Sequence, residues 1–428
     1  MKWPHAFLGL LLLAGCVSGK VEGDSLDEIA ADYVQMTLEI GEREPGYVDA
    51  YYGPAEWRDA AKAAPRSLES LAAEAAALTA RVNAIDPATL ETMEQRRRTF
   101  LLAQLRAAST RLRMLRGERL SFAEEAEGLF GVSPDIQPLS TFDPVLARID
   151  ALVPGEGPLW QRVDAFQERF TIPADRLKPV FDAAIAECKR RTAAHVGLPA
   201  GETFTLEFVT GKSWSGYNYY QGGYNSLIQV NTDLPIRISR AVDLGCHEGY
   251  PGHHVLNALL EQRLTQQRGW IEFSVYPLYS PQSLIAEGSA NYGIDLAFPG
   301  EERLRYETSV LYPLAGLPTD QADEYLALLE AMEALQGARF TIARDYLEGR
   351  TNRDRAVELT QKYQLVSKKR AEQSVDFIDE YRSYVINYGL GEDMVEAYVE
   401  AAGNTSEARW AVMERVISEP TLPSDLLR

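Results

Sequence analysis

Along most of this chain apolar residues recur at three- and four-residue steps, the spacing of a single helix face. Ile29, Tyr33, Met36 and Ile40 form such a stripe behind Ser25-Leu26-Asp27-Glu28. That tetrapeptide is a capping-box pattern, in which serine and glutamate satisfy each other's backbone N–H groups at a helix start. Leu68, Leu71, Ala75, Leu78 and Val82 make a second stripe, and residues 90–116 a long Arg-rich one. Ser121 with Glu124 repeats the capping box, and Asp143-Pro144 and Asp175 open two more helices, the latter ending near Gly197. The pattern changes at residue 200. Thr203 to Val209 is β-branched and partly alternating, which predicts a strand. Residues 211–226 are dense in Gly, Tyr and Asn and read as loop or turn, and Leu227 to Asn231 predicts a second short strand. Helical spacing returns near 236 and runs, with breaks, to about 418. The expected fold is mainly α, a large multi-helix body with a small antiparallel β element.

Composition narrows the function. The chain has 428 residues with 43 Lys+Arg against 62 Asp+Glu, a net charge of −19. That balance opposes nucleic-acid binding, which needs a basic surface. Three Cys exclude a disulfide-built scaffold. Lys2 followed by the apolar run Phe7–Ala14 reads as an export signal, too short to span ~30 Å of hydrocarbon. The sequence Leu13-Ala14-Gly15-Cys16 resembles a bacterial lipoprotein cleavage box. Residues 1–15 are then a signal peptide, and lipidation of Cys16 is the only membrane attachment. Val17, in place of Asp, favours the outer membrane facing the periplasm. Residues 16–428 read as one domain, with a helical part at about 24–198 and a second part at about 199–428. Cys188 and Cys246 can pair in an oxidising compartment, but nothing in the sequence brings them together, and the oligomeric state is not legible.

The chemistry concentrates in one octapeptide. Of five His, one is His5 and three fall within His247-Glu248-Gly249-Tyr250-Pro251-Gly252-His253-His254. Neutral imidazole is a good zinc ligand. Two His on one helix face with a following Glu form the metallopeptidase arrangement: the rings hold the metal and the carboxylate takes a proton from water. The usual spacing is i, i+4. Here Pro251 occupies that position and clashes with the carbonyl of His247, so the helix must kink or restart, with Gly252 easing the bend. On an unbroken helix His253 would lie ~9 Å along the axis and on another face, and His254 ~10.5 Å along on the same face. A bulge at Tyr250-Pro251 brings His253 to the second-ligand position, and His254 remains an alternative ligand or a partner behind the site. A third ligand is expected from Leu284-Ile285-Ala286-Glu287-Gly288-Ser289-Ala290-Asn291-Tyr292, where Glu287 sits among small residues. Asn291, one turn on, is placed to hydrogen-bond a ligating His. Asp243 is a weaker candidate, and Cys246 reads as core.

These residues resemble a known family. His-Glu-x-x-Pro-Gly-His-His with a later Glu-Gly-x-Ala is similar to the bacterial domain of unknown function 885. Pro45-Gly46-Tyr47-Val48-Asp49-Ala50-Tyr51-Tyr52-Gly53-Pro54 and Tyr384-Val385-Ile386-Asn387-Tyr388-Gly389-Leu390-Gly391 extend the match over nearly the whole chain after residue 16. Ser289 departs from it, where many relatives have Trp, and is read as a change in the pocket wall. The resemblance implies a fold like that of Taq-type zinc carboxypeptidases, a long helical cleft with the active-site helix at its base, and the small β element read above then stands just before that helix. It also implies a peptidase-like hydrolase with one Zn2+ held by His247, by His253 or His254, and by Glu287, and with Glu248 as general base.

A peptide or peptide-like substrate follows. Tyr384 and Tyr388, spaced i, i+4, are candidates to donate to the developing oxyanion, with aromatic core packing as the alternative. Tyr217 to Tyr224 is either a cleft wall or a packed loop, and Arg382 a candidate partner for a C-terminal carboxylate. Two rival functions share these residues. One is a non-catalytic metal- or peptide-binding lipoprotein, against which the retained Glu248 argues. The other is a metal-dependent amidohydrolase of cell-wall peptides.

Overall fold

Both capping boxes form in the computed structural model, which describes residues 25–212 and 214–427. Ser25 Oγ accepts from the Glu28 N–H at 3.3 Å, and Glu28 accepts from the Ser25 N–H at 3.0 Å, starting the helix Leu26–Arg43. Ser121 and Glu124 do the same ahead of Phe122–Phe130. The stripe Ile29, Tyr33, Met36 and Ile40 is fully buried, against the helices Leu68–Ala84 and Thr92–Leu115. Asp143 begins Asp143–Leu152, while Asp175 lies in a short 3-10 turn that leads into Leu177–Ala193. The expected signal peptide and Cys16 lie outside the described residues. Among the described residues no helix is long and apolar enough to cross a membrane.

The chain is mainly helical, as expected, but the β element differs from the antiparallel pair the sequence predicts. Among the described residues five strands form: β1 (Val48–Tyr51), β2 (Thr203–Val209), β3 (Gly216–Gly222), β4 (Asn225–Asn231) and β5 (Val275–Pro277). β1 pairs antiparallel with β5. The other three make a mixed sheet in the order β2-β4-β3, with β2 parallel and β3 antiparallel to β4. The stretch expected as loop is therefore largely strand. Its tyrosines suit a pleated, half-buried surface, and the loop-like residues are used at the turn, where Gly222, Gly223 and Tyr224 all have positive φ. β3 and β4 form a hairpin, β2 joins β4 in parallel on its other side, and β3 is left as an edge.

A large core runs through most elements. A second cluster packs Phe142, Ile149 and Val163 against Leu328, Ile342 and Val375, across the division expected near residue 198. Cys188 and Cys246 are fully buried and joined by a disulfide. It ties the helix Leu177–Ala193 to the segment that carries His247. The sequence separation is 58 residues, for which chain-entropy reasoning gives roughly 4 kcal/mol of stabilisation. Replacing both cysteines with Ala is expected to lower the denaturant midpoint by a corresponding amount. Superimposable unfolding curves would contradict this.

Candidate metal centre

The residues around His247 leave regular helix because of Pro251. The helix Ser239–Leu244 continues into a wide π-type turn, Gly245–Gly249. There the Tyr250 N–H reaches back to the Gly245 carbonyl and the Gly252 N–H to Cys246 at 3.0 Å. A new helix, His253–Leu260, then begins. The restart matches the expected break. Gly252 is required by space, since a Cβ there would lie 1.8 Å from the His247 carbonyl oxygen. The widened turn changes the phase of the helix, so that residues six apart face each other.

His247 Nε2 and His253 Nε2 lie 3.1 Å apart. Glu287 Oε2, from the helix Pro281–Ala297, is 3.2 Å from the first and 3.7 Å from the second. His254 points elsewhere. Its ring is completely buried, with Nδ1 2.9 Å from Ser226 Oγ and Nε2 2.8 Å from Glu202 Oε2. Both nitrogens are therefore used in tying the new helix to the sheet. Burial alone would raise Glu202, but His254, Lys189 and Tyr250 outweigh it and pull its carboxyl down to about 2.

Three ligand atoms of His247, His253 and Glu287 lie within 4.8 Å of one another, so the cluster can hold a metal ion. Glu287 Oε2 is buried without a hydrogen-bond partner of acceptable geometry. Two imidazole nitrogens and a carboxylate oxygen thus point their lone pairs at one spot. A single proton satisfies at most two of them, whereas a cation suits all three. Burial favours neutral forms, yet the mutual attraction prevails: the imidazoles hold Glu287 well below the usual carboxylate range, and Glu287 pushes His253 up to about 9.

Neighbours orient these groups. Asn291 Oδ1 lies 2.8 Å from His247 Nδ1, which fixes the proton there and leaves the Nε2 lone pair toward Glu287. Asn291 Nδ2 in turn donates to the Tyr388 carbonyl at 3.2 Å and to Glu392 Oε2 at 3.4 Å. Tyr384 donates its hydroxyl to Glu287 Oε1 at 2.8 Å. The hydroxyl that the sequence offers as an oxyanion donor is bonded to this carboxylate. Tyr384→Phe is expected to weaken zinc binding about 10- to 100-fold, read by competition with a chelator. An unchanged affinity would contradict that role. Tyr388 lines the cavity. Arg382 is turned away onto Glu125 at 2.8 Å. Ser289 is buried, bonds the Ala286 carbonyl, and does not line the cavity, because Glu287, Asn291 and Asp295 occupy the opposite face of that helix.

The cluster opens into a cavity of about 670 Å³. Glu248 lies in its wall, and burial pushes its carboxyl above the usual range against the pull of the two imidazoles. Its side chain rests on β3. A Cβ on Gly216 would lie 2.7 Å from Glu248 Oε1. With Glu248 as the base that the resemblance implies, Gly216→Ala is expected to displace it and lower kcat about tenfold or more while leaving the thermal midpoint nearly unchanged. Equal loss of both would contradict this.

Three cavity residues were not legible in the sequence. Asp49, from β1, accepts a hydrogen bond from Tyr217, and burial pushes it up to about 6 despite that donor. It stands in the Pro45–Pro54 match, but nothing there sets it apart from its neighbours. Arg339 and Glu392 carry no such local sign. Burial, with Asp295 and Glu333 nearby, pushes Glu392 up to about 8. The folded chain then holds a proton that the unfolded chain releases near pH 4–5, so stability falls as pH rises through that window toward 8. Glu392→Gln is expected to flatten this fall, measured as thermal midpoints between about pH 5 and 9. Parallel profiles would contradict it.

No family model matches this sequence, and no curated protein sequence does. Solved structures do resemble it. A Colwellia psychrerythraea protein, provisionally described as a lipoprotein, aligns over 85% of this chain and 66% of its own at 16% identity and a TM-score of 0.52. The chain thus shares that fold and spans about two thirds of that structure's length. An M32 carboxypeptidase from Deinococcus radiodurans R1 aligns over 94% of this chain and 92% of its own, at 14% identity and a TM-score of 0.37.

Proposed function

We propose that this chain is a zinc-dependent peptidase of the bacterial cell envelope, anchored through Cys16 and related to the domain of unknown function 885. The observation that carries the reading is the convergence of His247, His253 and Glu287, with a buried carboxylate oxygen that lacks a donor, beside Glu248 in one cavity. Bound there, zinc would supply Lewis acidity, lowering the pKa of a water toward about 7 and polarising the scissile carbonyl.

The chain's own groups do the rest. Glu248 takes the proton from the attacking water and delivers it to the leaving amine. Its raised affinity for a proton, caused by burial, suits a group that must hold that proton between the two steps. Asn291 keeps His247 in one tautomer, and Tyr384 keeps Glu287 in one orientation. The edge strand β3, with Trp214 to Asn218 on the cavity wall, gives an extended peptide a backbone to pair with. Incubating zinc-loaded protein with a mixture of short peptides, and reading new termini by mass spectrometry, tests the proposal. Zinc-dependent cleavage is expected. Protein that holds zinc but cleaves nothing would replace the enzyme with a binding protein.

A further inference from the structure

Four arginines line the cavity: Arg240, Arg303, Arg339 and Arg370. Three are engaged. Arg303 bonds Asp243 at 2.6 Å and Glu307 at 2.9 Å, Arg240 lies 3.3 Å from Asp243, and Arg370 donates to the Pro235 carbonyl at 3.1 Å. Arg339 has no carboxylate or carbonyl partner among the described residues, and its Nε is buried without an acceptor. Ring faces hold it instead, with the guanidinium carbon 5.1 Å from the centre of Phe377 and 5.7 Å from that of Tyr388. Such stacking supports a guanidinium while leaving its N–H edge unused. Leaving charged donors unpaired in a protein wall is costly, and a guanidinium does not escape by losing its proton.

We propose that Arg339 receives a carboxylate of the substrate, so that the site acts on peptides with a free carboxylate close to the scissile bond. This rests on the peptidase reading above. A planar fork of N–H donors matches a carboxylate in two parallel hydrogen bonds. The rest of the cavity selects against the same anion elsewhere, because Asp49, Asp243 and Asp295 also line it. Tyr388, which stacks on Arg339, belongs to the helix Ile386–Glu400 that packs against the Glu287 helix. The guanidinium and the metal cluster therefore share one wall. Two sources offer this chemistry, the C-terminal α-carboxylate and an acidic side chain, and the first makes the enzyme a carboxypeptidase.

The test is binding to zinc-loaded Glu248→Gln protein, measured by calorimetry so that no turnover is needed. The probes are one N-acylated tripeptide as free acid and as C-terminal amide, and an amidated pair with Glu or Gln at the last position. The free acid is expected to bind at least about tenfold more tightly than its amide. Arg339→Met should erase the difference, and Arg339→Lys should keep part of it, with thermal midpoints confirming that both fold. A preference for Glu over Gln that Arg339→Met abolishes also supports a carboxylate at Arg339 and assigns it to a side chain. Equal binding of acid and amide, with no Glu preference, overturns the proposal, as does a preference that survives Arg339→Met. Zinc-dependent cleavage with no carboxylate preference would leave the peptidase standing and remove only this assignment. Acid preference without cleavage would do the reverse.

Discussion

Glu248→Gln is expected to lower kcat by about 10²–10⁴-fold while zinc content and thermal midpoint stay at wild-type values. The substitution is nearly isosteric, so the packing of the side chain against Gly216 survives. What disappears is the ability to accept a proton. Glutamine also removes a buried carboxyl that burial already holds above its ordinary range, so the variant has no reason to unfold. None of the three clustered ligand atoms belongs to Glu248, so zinc should remain. Peptide turnover under saturating conditions, with metal analysis of the same sample, reads both quantities. Turnover within a few-fold of wild type would remove Glu248 from the chemistry. Parallel loss of zinc and turnover would make it a ligand instead of a base.

Gly252→Ala is expected to be the most damaging glycine-to-alanine change among the described residues. The added Cβ would lie 1.8 Å from the His247 carbonyl oxygen and 2.6 Å from that of Cys246. Both obstacles are backbone, so neither swings aside as a side-chain tip does. Relief requires parting the wide turn that carries His247 from the helix that carries His253. Overpacking of this kind costs about 3 kcal/mol, and here the same movement pulls the two imidazoles apart. Loss of zinc should accompany the loss of stability. Gly197→Ala, with nothing within 4 Å of the added atom, is the control and should leave both unchanged. A Gly252→Ala protein with wild-type melting and zinc content would show that the turn is far softer than its geometry implies.

The parts of this molecule that follow from near neighbours were legible in the sequence. The capping boxes at Ser25 and Ser121 need only residues three apart. The octapeptide announces itself because three rare histidines and a carboxylate are close in sequence, and Pro251 alone dictates that the helix must break. What the break does is harder to read. Whether His253 or His254 turns toward His247 depends on how many residues the turn holds, and on Ser226 and Glu202 claiming both nitrogens of His254. Those partners lie 28 and 52 residues away. β3 was hidden for a similar reason. Its glycines and tyrosines read as loop locally, and only pairing with β4 makes them strand. Asp49, Arg339 and Glu392 reach the cavity from distant segments, and the disulfide joins residues with no local sign of proximity. Tyr384 stands out through its spacing from Tyr388, but its bond to Glu287 spans 97 residues and has no local sign.

The central claim is that His247, His253 and Glu287 hold one metal ion. Metal content of purified protein, by mass spectrometry after zinc reconstitution and removal of loose ions, tests it most directly. One zinc per chain is expected, lost in His247→Ala, His253→Ala and Glu287→Ala and retained in His254→Ala. No stoichiometric metal in the wild-type chain, or loss in His254→Ala with retention in His253→Ala, would contradict it.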